Sequence, residues 1–411
     1  MIDVRAAVAR SHRTEWARVV GALTRRFGDL DVAEDAAAEA FAAAVERWPT
    51  GGVPPNPGAW LTVVAHRKAI DRIRREHLRA DKQRQARTLY GDVEPEPLGA
   101  IADDRLRLIC TCCHPALGMA ARVALTLRMV GGLTVPEIAR AFLVGEPAMG
   151  QRISRAKARI KTARIPYRVP SADELPTRLT GVLAVLFLVF NEGYLATGPD
   201  TDPVRHDLTA EAIRLARLIR TLVPHDGEAA GLLALMLLTD ARRNARISPS
   251  GDLVALDEQD RGTWDAALIA EGHRLVRERL AAGEAPGRYQ ILAAISAVHT
   301  SARHVRDTDW SQIVALYDQL VRLDPSPVVA LNRAIAVARL HGPEVALAAV
   351  DRLGRELAGY HAYHATRADL LRRLGRRQQS RAAYDNAIGL AANPVESAFL
   401  TRRRDQLQPS S

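Results

Sequence analysis

Apolar residues recur at helical spacing along almost the whole chain, and strand-like alternation is missing, so the pattern predicts a nearly all-α protein. The clearest stretch is 133–161, LTVPEIARAFLVGEPAMGQRISRAKARIK. There Glu137, Ile138, Ala139 and Phe142 fall at the spacing of one helix, Gly145 supplies a turn position, and Glu146-Pro147 opens a second helix. The second helix is expected to bury Met149, Ile153, Ala156 and Ile160. Its other side carries Glu146, Gln151, Arg152, Ser154, Arg155, Lys157 and Arg159, groups that suit base edges and phosphates in a major groove. A solvated charged face is the plainer alternative.

Residues 10–77 form an earlier block. Trp16–Phe27 reads as an amphipathic helix, and Asp31–Trp48, DVAEDAAAEAFAAAVERW, as an acidic helix opened by a capping Asp. The turn-rich loop PTGGVPPNPG follows, then a helix over Ala59–Arg75. In that helix Leu61, Val64, Ala65, Ile70 and Ile73 point inward, while His66, Arg67, Arg72, Arg74 and Arg75 point out. Residues 80–104, with Glu94 and Glu96 in GDVEPEPLG, lack apolar periodicity and read as a linker.

From Leu175 a second helical entity begins, and its end repeats. Arg333-Ala334, Arg339-Leu340, Ala348-Ala349 and Asp351 recur 34 positions later as Arg367-Ala368, Arg373-Leu374, Ala382-Ala383 and Asp385. Asp324-Pro325 and Asn393-Pro394 close helices, and a third, earlier copy ends in 315–325. Before the repeats, Asn191, Glu192 and Tyr194 follow one apolar helix, and Asp240, Arg242 and Arg243 follow another. These six are candidates for a pocket; helix capping and structural ion pairs are the alternative.

With 411 residues the chain should form two or more domains. Its net charge of +10 is unevenly placed: residues 1–170 hold 28 basic against 18 acidic residues, and residues 171–411 hold 29 of each. A basic half attracts a polyanion, and a neutral half gives no reason to expect one. The N-terminus has no apolar core of the signal-peptide kind, and the longest apolar run, Val182 to Phe190, is short of a bilayer span, so a cytoplasmic protein without membrane contact is expected. Cys110, Cys112, Cys113 and His114 are too crowded to converge on one tetrahedral ion, and no second ligand pair follows. Neither metal nor cofactor is expected; Cys110 and Cys113 read as small apolar fillers, and His114-Pro115 as the turn before a helix from Leu117.

On these residues the first 170 positions resemble a bacterial RNA polymerase sigma factor of the extracytoplasmic-function group. The block 1–79 is similar to region 2, 80–104 to the linker, and 105–168 to region 4. The tail, 171–411, with tetratricopeptide-like repeats over 287–396, resembles the extension carried by one subgroup. The resemblance implies that Glu34, Asp35, Glu39, Phe41 and Trp48 dock on the β′ clamp helices of core polymerase and that region 4 meets the β flap. It further implies that Asn56, Trp60, His66, Arg67, Asp71, Arg74 and Arg75 take the melted −10 strand, and that the basic helix of 146–161 reads the −35 element. The loop after Trp48 has no aromatic of its own, so a captured base would be held by backbone or by Trp48 and Trp60. The function implied is promoter-directed initiation, not catalysis, with the tail receiving a regulatory protein or peptide. The alternative is a one-component DNA-binding regulator with a sensor tail, for which residues 31–75 have no use. An enzyme would need a nucleophile and base that the scattered polar groups do not supply.

Overall fold

A computed structural model describes residues 4–81, 101–142, 144–168, 170–171, 173–194, 204–391 and 393–407. These form an all-α protein whose helices divide into two compact units, 1–188 and 189–411.

In the first unit, α1 (Val4–Phe27), α2 (Leu30–Gly51) and α3 (Pro57–Asp81) pack on one another. The alanines of α2 let its neighbours come close, since Ala33, Ala36, Ala37, Ala40 and Ala44 are all buried. The cap of α2 is Asp29, two residues before the expected Asp31: its side chain accepts from the amides of Asp31 (2.8 Å) and Val32 (3.3 Å). The helix also runs past Trp48 and through Pro49, ending where Gly52 takes φ +78° and its amide returns to the Trp48 carbonyl. With α3 beginning at Pro57, two residues before the expected Ala59, the ten-residue loop expected over 49–58 is cut to 52–56. Pro49 lacks the amide that would otherwise bond the Val45 carbonyl, so the end of the helix carries one backbone bond fewer.

The next helix, α4 (Ile101–Cys112), begins inside the stretch expected as linker; Glu94 and Glu96 lie outside the described residues. Then come α5 (Met119–Met129), α6 (Val135–Ala141) and α7 (Glu146–Thr162). The last two form the helix-turn-helix. A capping box starts α6: Glu137 Oε2 accepts from the Thr134 amide (2.7 Å), and Thr134 Oγ1 accepts from the Glu137 amide (3.4 Å). The inner face of α7 is Met149, Ile153, Ala156 and Ile160, as its periodicity predicts. Gly145 has φ −59°, so the turn does not need its freedom. Gly132 is the glycine this module requires: its φ is +73°, and an added Cβ would stand 2.8 Å from His12 Cε1 and 3.0 Å from Trp16 Cγ.

The unit division falls inside α8 (Leu175–Tyr194), the one helix among the described residues long and apolar enough to cross a membrane by length and composition. In the second unit, α9 (His206–Leu222) is followed by α10 (Gly227–Asp240), whose residues from Ala229 on are all buried, making it the central helix. After the short α11 (Arg243–Arg246) and a 3₁₀ turn over Arg261–Thr263 come α12 (Ala266–Ala281), α13 (Arg288–Ser301) and α14 (Trp310–Leu323). Two helical hairpins follow, α15 (Pro327–Leu340) with α16 (Pro343–Asp351), and α17 (His361–Arg373) with α18 (Arg377–Leu390); α19 (Pro394–Asp405) closes the chain. Each helix of the second hairpin starts 34 residues after its counterpart. The repetition reaches side chains: Arg333 pairs with Asp318 at 2.6 Å and Arg367 with Asp351 at 2.7 Å, while Ala334 and Ala368 are both buried.

Candidate functional site

The outer face of α7 presents Glu146, Gln151, Ser154, Arg155 and Arg159 to solvent, with Arg152 half-buried beside them. Lys157 does not join them. It follows Ile153 by one helical turn, at the border of the buried stripe, and there it reaches α2: its Nζ lies 2.8 Å from Glu34 Oε2 and also pairs with Asp31. One turn further on, Lys161 pairs with Asp29 at 3.0 Å.

Glu34 is the centre of this contact. Its side chain is buried in α2, and Arg128 of α5 donates Nε to Oε1 at 2.5 Å, while Lys157 takes the other oxygen. Arg128 is itself fixed, donating to the Leu133 carbonyl (2.9 Å) and lying 5.7 Å over the Trp16 ring, whose indole donates to the Arg128 carbonyl (3.1 Å). Burial opposes ionisation of Glu34, but Arg128 and Lys157 outweigh it and hold the carboxyl below its usual range. Lys157 is burdened by the same burial and raised by Glu34 and Asp31.

The remaining residues predicted to meet polymerase also have partners within the first unit. Asp35 pairs with Arg72 (2.5 Å), and Glu39 with Lys68 (3.4 Å). Phe41 and Trp48 are core residues: Phe41 closes an aromatic cluster with His12 (4.8 Å) and Trp16 (5.8 Å). Any part they take in docking is through the shape of α2.

On α3, Arg67, Asp71, Arg74 and Arg75 are exposed along one side. Asn56 is spent as a cap, its Oδ1 accepting from the Ala59 amide at 3.0 Å. His66, expected to face outward, is half-buried, tilted over Phe27 at 5.5 Å and bonded by Arg26 Nε (3.2 Å). Burial first and the Arg26 charge second lower its pKa, so it adds no cation to the exposed side of α3. Trp48 and Trp60 meet edge to face at 5.6 Å beside the loop, and the buried indole nitrogen of Trp48 has no acceptor among the described residues.

All three cysteines are free and buried. Burial pushes the Cys110 thiol up to about 12 and Cys113 to about 11, so they are protonated packing groups; Cys113 Sγ meets Thr126 Oγ1 at 3.3 Å. Among the described residues no group of histidines, cysteines and acids could hold a metal ion.

The six pocket candidates lie in the second unit, where Tyr194 and Arg242 both act on Arg246. Asn191 is exposed and Glu192 buried; Asp240 is buried and paired with Arg243 at 3.1 Å. Tyr194 lies beneath Arg246, whose guanidinium is 3.5 Å from the ring centroid. Arg242 stands in a cationic group with Arg246, Arg261 and His299. The last two carry no sequence signal, having neither periodicity nor a motif spacing. Arg128, the main partner of Glu34, was likewise hidden: in sequence it is one more arginine at the end of an apolar helix.

Residues 13–79 match the Sigma-70 region 2 family, residues 111–160 the family Sigma-70, region 4, and residues 178–280 a family of unknown function, DUF6596. The chain is 45% identical over 401 residues to an uncharacterized protein of Rhizobium meliloti, an alignment covering 95% of this chain and 93% of that one. It is 30% identical over 168 residues to the ECF RNA polymerase sigma factor SigK of Mycobacterium bovis, covering 38% of this chain and 82% of the relative. A probable ECF RNA polymerase sigma factor, SigI of Mycobacterium tuberculosis, is 31% identical over 182 residues, covering 43% and 61%.

Proposed function

Because the chain belongs to the ECF RNA polymerase sigma factor family, we propose that it directs core RNA polymerase to promoters and aids initiation. In this reading α7 reads a −35 element with Gln151, Arg152, Ser154, Arg155 and Arg159, and the exposed side of α3 takes the −10 strand. The acids of α2 dock on polymerase. What carries the reading is that matches to regions 2 and 4 occur in order, each on a helix with exposed cations, inside the half of the chain that holds all the excess positive charge. Phosphate contacts set register and base contacts specify, so differential binding does the work and no reactive centre is called for.

We assign 1–79 to region 2, 80–104 to the linker, 105–168 to region 4 and 171–411 to a regulatory or protein-interaction tail. The 34-residue offset between its hairpins supports the tetratricopeptide-like reading of 287–396, and stacked hairpins offer a concave face to a protein or peptide. Docking through Glu34 requires Arg128 and Lys157 to release it first.

The test is transcription in vitro with purified core polymerase on a candidate promoter. Arg152→Ala and Arg155→Ala are each expected to reduce use of the −35 element by about tenfold, on the scale of one lost base or phosphate contact, with core binding unchanged. Loss of core binding in those variants would misplace the DNA face. Promoter-specific DNA binding with no core binding would turn the reading toward a one-component regulator.

A further inference from the structure

The cationic group in the second unit is built around arginines that have no ion pair of their own among the described residues. Arg261, in the 3₁₀ turn, donates Nη1 to the carbonyls of His299 (2.8 Å) and Ala302 (2.7 Å) and Nη2 to Thr308 Oγ1 (3.3 Å), and it lies 4.9 Å over the Trp264 ring. Every one of those acceptors is neutral. Arg246 rests on the Tyr194 ring. Arg242 immediately precedes α11, which packs against the 3₁₀ turn, and its side chain has no hydrogen-bond or ion-pair partner among the described residues. The Nε atoms of all three arginines and Nδ1 of His299 are buried without a partner.

Arg242 is close enough to act on each of the other three. After burial itself, Arg242 and Arg261 depress His299 to about 4, and Arg242 also lowers Arg246 and Arg261. The acids whose charge reaches the group are shared with other cations: Glu396 with His361 at 3.3 Å, and Asp307 with Arg306 at 3.8 Å. Arginine does not shed its proton, so this repulsion persists at every physiological pH. Buried charge is otherwise retained with a partner, and buried donors with an acceptor.

We infer that this cluster of Arg242, Arg246, Arg261 and His299 binds a small dianion of the phosphate or phosphomonoester class. Such a ligand offers acceptors to the orphaned N–H groups and removes the mutual repulsion of the guanidiniums in one step. Arg261 belongs to two surfaces at once. It also lines an open cleft of about 530 Å³ with Trp264, Thr300, Ser301, Arg303 and His304, and with Asp260, whose Oδ1 is taken by the Gly262 amide (2.9 Å), which gives the organic body of an ester a place beside the anion. The inference does not rest on the promoter reading, because none of these residues belongs to the DNA-binding or polymerase-binding sets.

Calorimetric titration of the full chain at fixed ionic strength tests it, with inorganic phosphate and glycerol 3-phosphate as separate probes and chloride as the reference salt. Saturable binding is expected, weakened about tenfold or more by R242Q and not by R381A, which removes an exposed cation from α18. Tighter binding of the ester assigns the cleft to an organic body; equal binding assigns the site to the free anion. Should R242Q fail to fold, as judged by circular dichroism, R242K is read instead, since it keeps the charge and loses the bidentate fork. No saturation by either probe up to about 10 mM, or binding lost in R381A and kept in R242Q, overturns the site.

Discussion

A carboxylate with 7% of its surface exposed stays ionised at position 34 only because two cations reach it. Removing one side of such a pair leaves the other buried and uncompensated, which typically costs about 3–5 kcal/mol. Glu34→Gln is accordingly expected to destabilise the first unit by a large part of that, read from denaturant unfolding. Since the folded-state pKa of Glu34 is depressed, its contribution is complete above the ordinary carboxylate range and disappears as pH falls through the lowered value; E34Q should flatten that acid-side loss. His299 acts over a different window. Held near 4 in the folded chain against an ordinary value of 6.5, it makes the second unit progressively less stable as pH drops from about 6.5 to 4, by up to about 3 kcal/mol. Melting curves of wild type and His299→Gln over that range check this, and parallel curves would discount it. At this scale the sequence was least informative. Periodicity separates Ile153 from Arg155, but it does not separate Arg155 from Lys157, because which border residue finds an acid is settled by a helix more than a hundred positions away.

Helices were far more legible than their ends. The buried stripe of α7 and the 34-residue offset of the hairpins both follow from apolar spacing, which responds to period and not to partner. The errors lie at boundaries, where a single backbone angle or cap decides: α2 starts after Asp29 and runs through Pro49, and α4 reaches back to Ile101. The element with the most to reveal is α5, since Arg128 near its C-terminus holds the acid of α2 and belongs to neither proposed binding set. Arg128→Gln should loosen the hold of α5 on α2 without touching either proposed binding set. Its expected signature is tighter core binding together with a lower unfolding midpoint; unchanged core affinity would show that the Glu34 contact does not limit docking.

For the molecule as a whole, charge is divided more sharply than structure. All of the net +10 belongs to residues 1–170. If DNA contact is confined there, the dependence of promoter-DNA affinity on salt should have the same slope for the full chain and for residues 1–170, because the slope counts phosphates neutralised. A shallower slope in the shorter chain would bring the tail into contact with DNA. Regulation by the tail is a separate matter, read by whether removing 171–411 alters promoter output at saturating core polymerase.

The three-way contact of Glu34, Arg128 and Lys157 also implies heterotropic cooperativity. If α7 must leave α2 before it can lie in a groove, and α2 must shed α7 before it can meet polymerase, both ligands draw on the same minor open population. Each then raises the other's affinity by an equal factor, however far apart they bind. A −35 duplex should bind several-fold more tightly when core polymerase is present, and in Lys157→Gln, where the hold of α7 on α2 is already weakened, that advantage should shrink toward one.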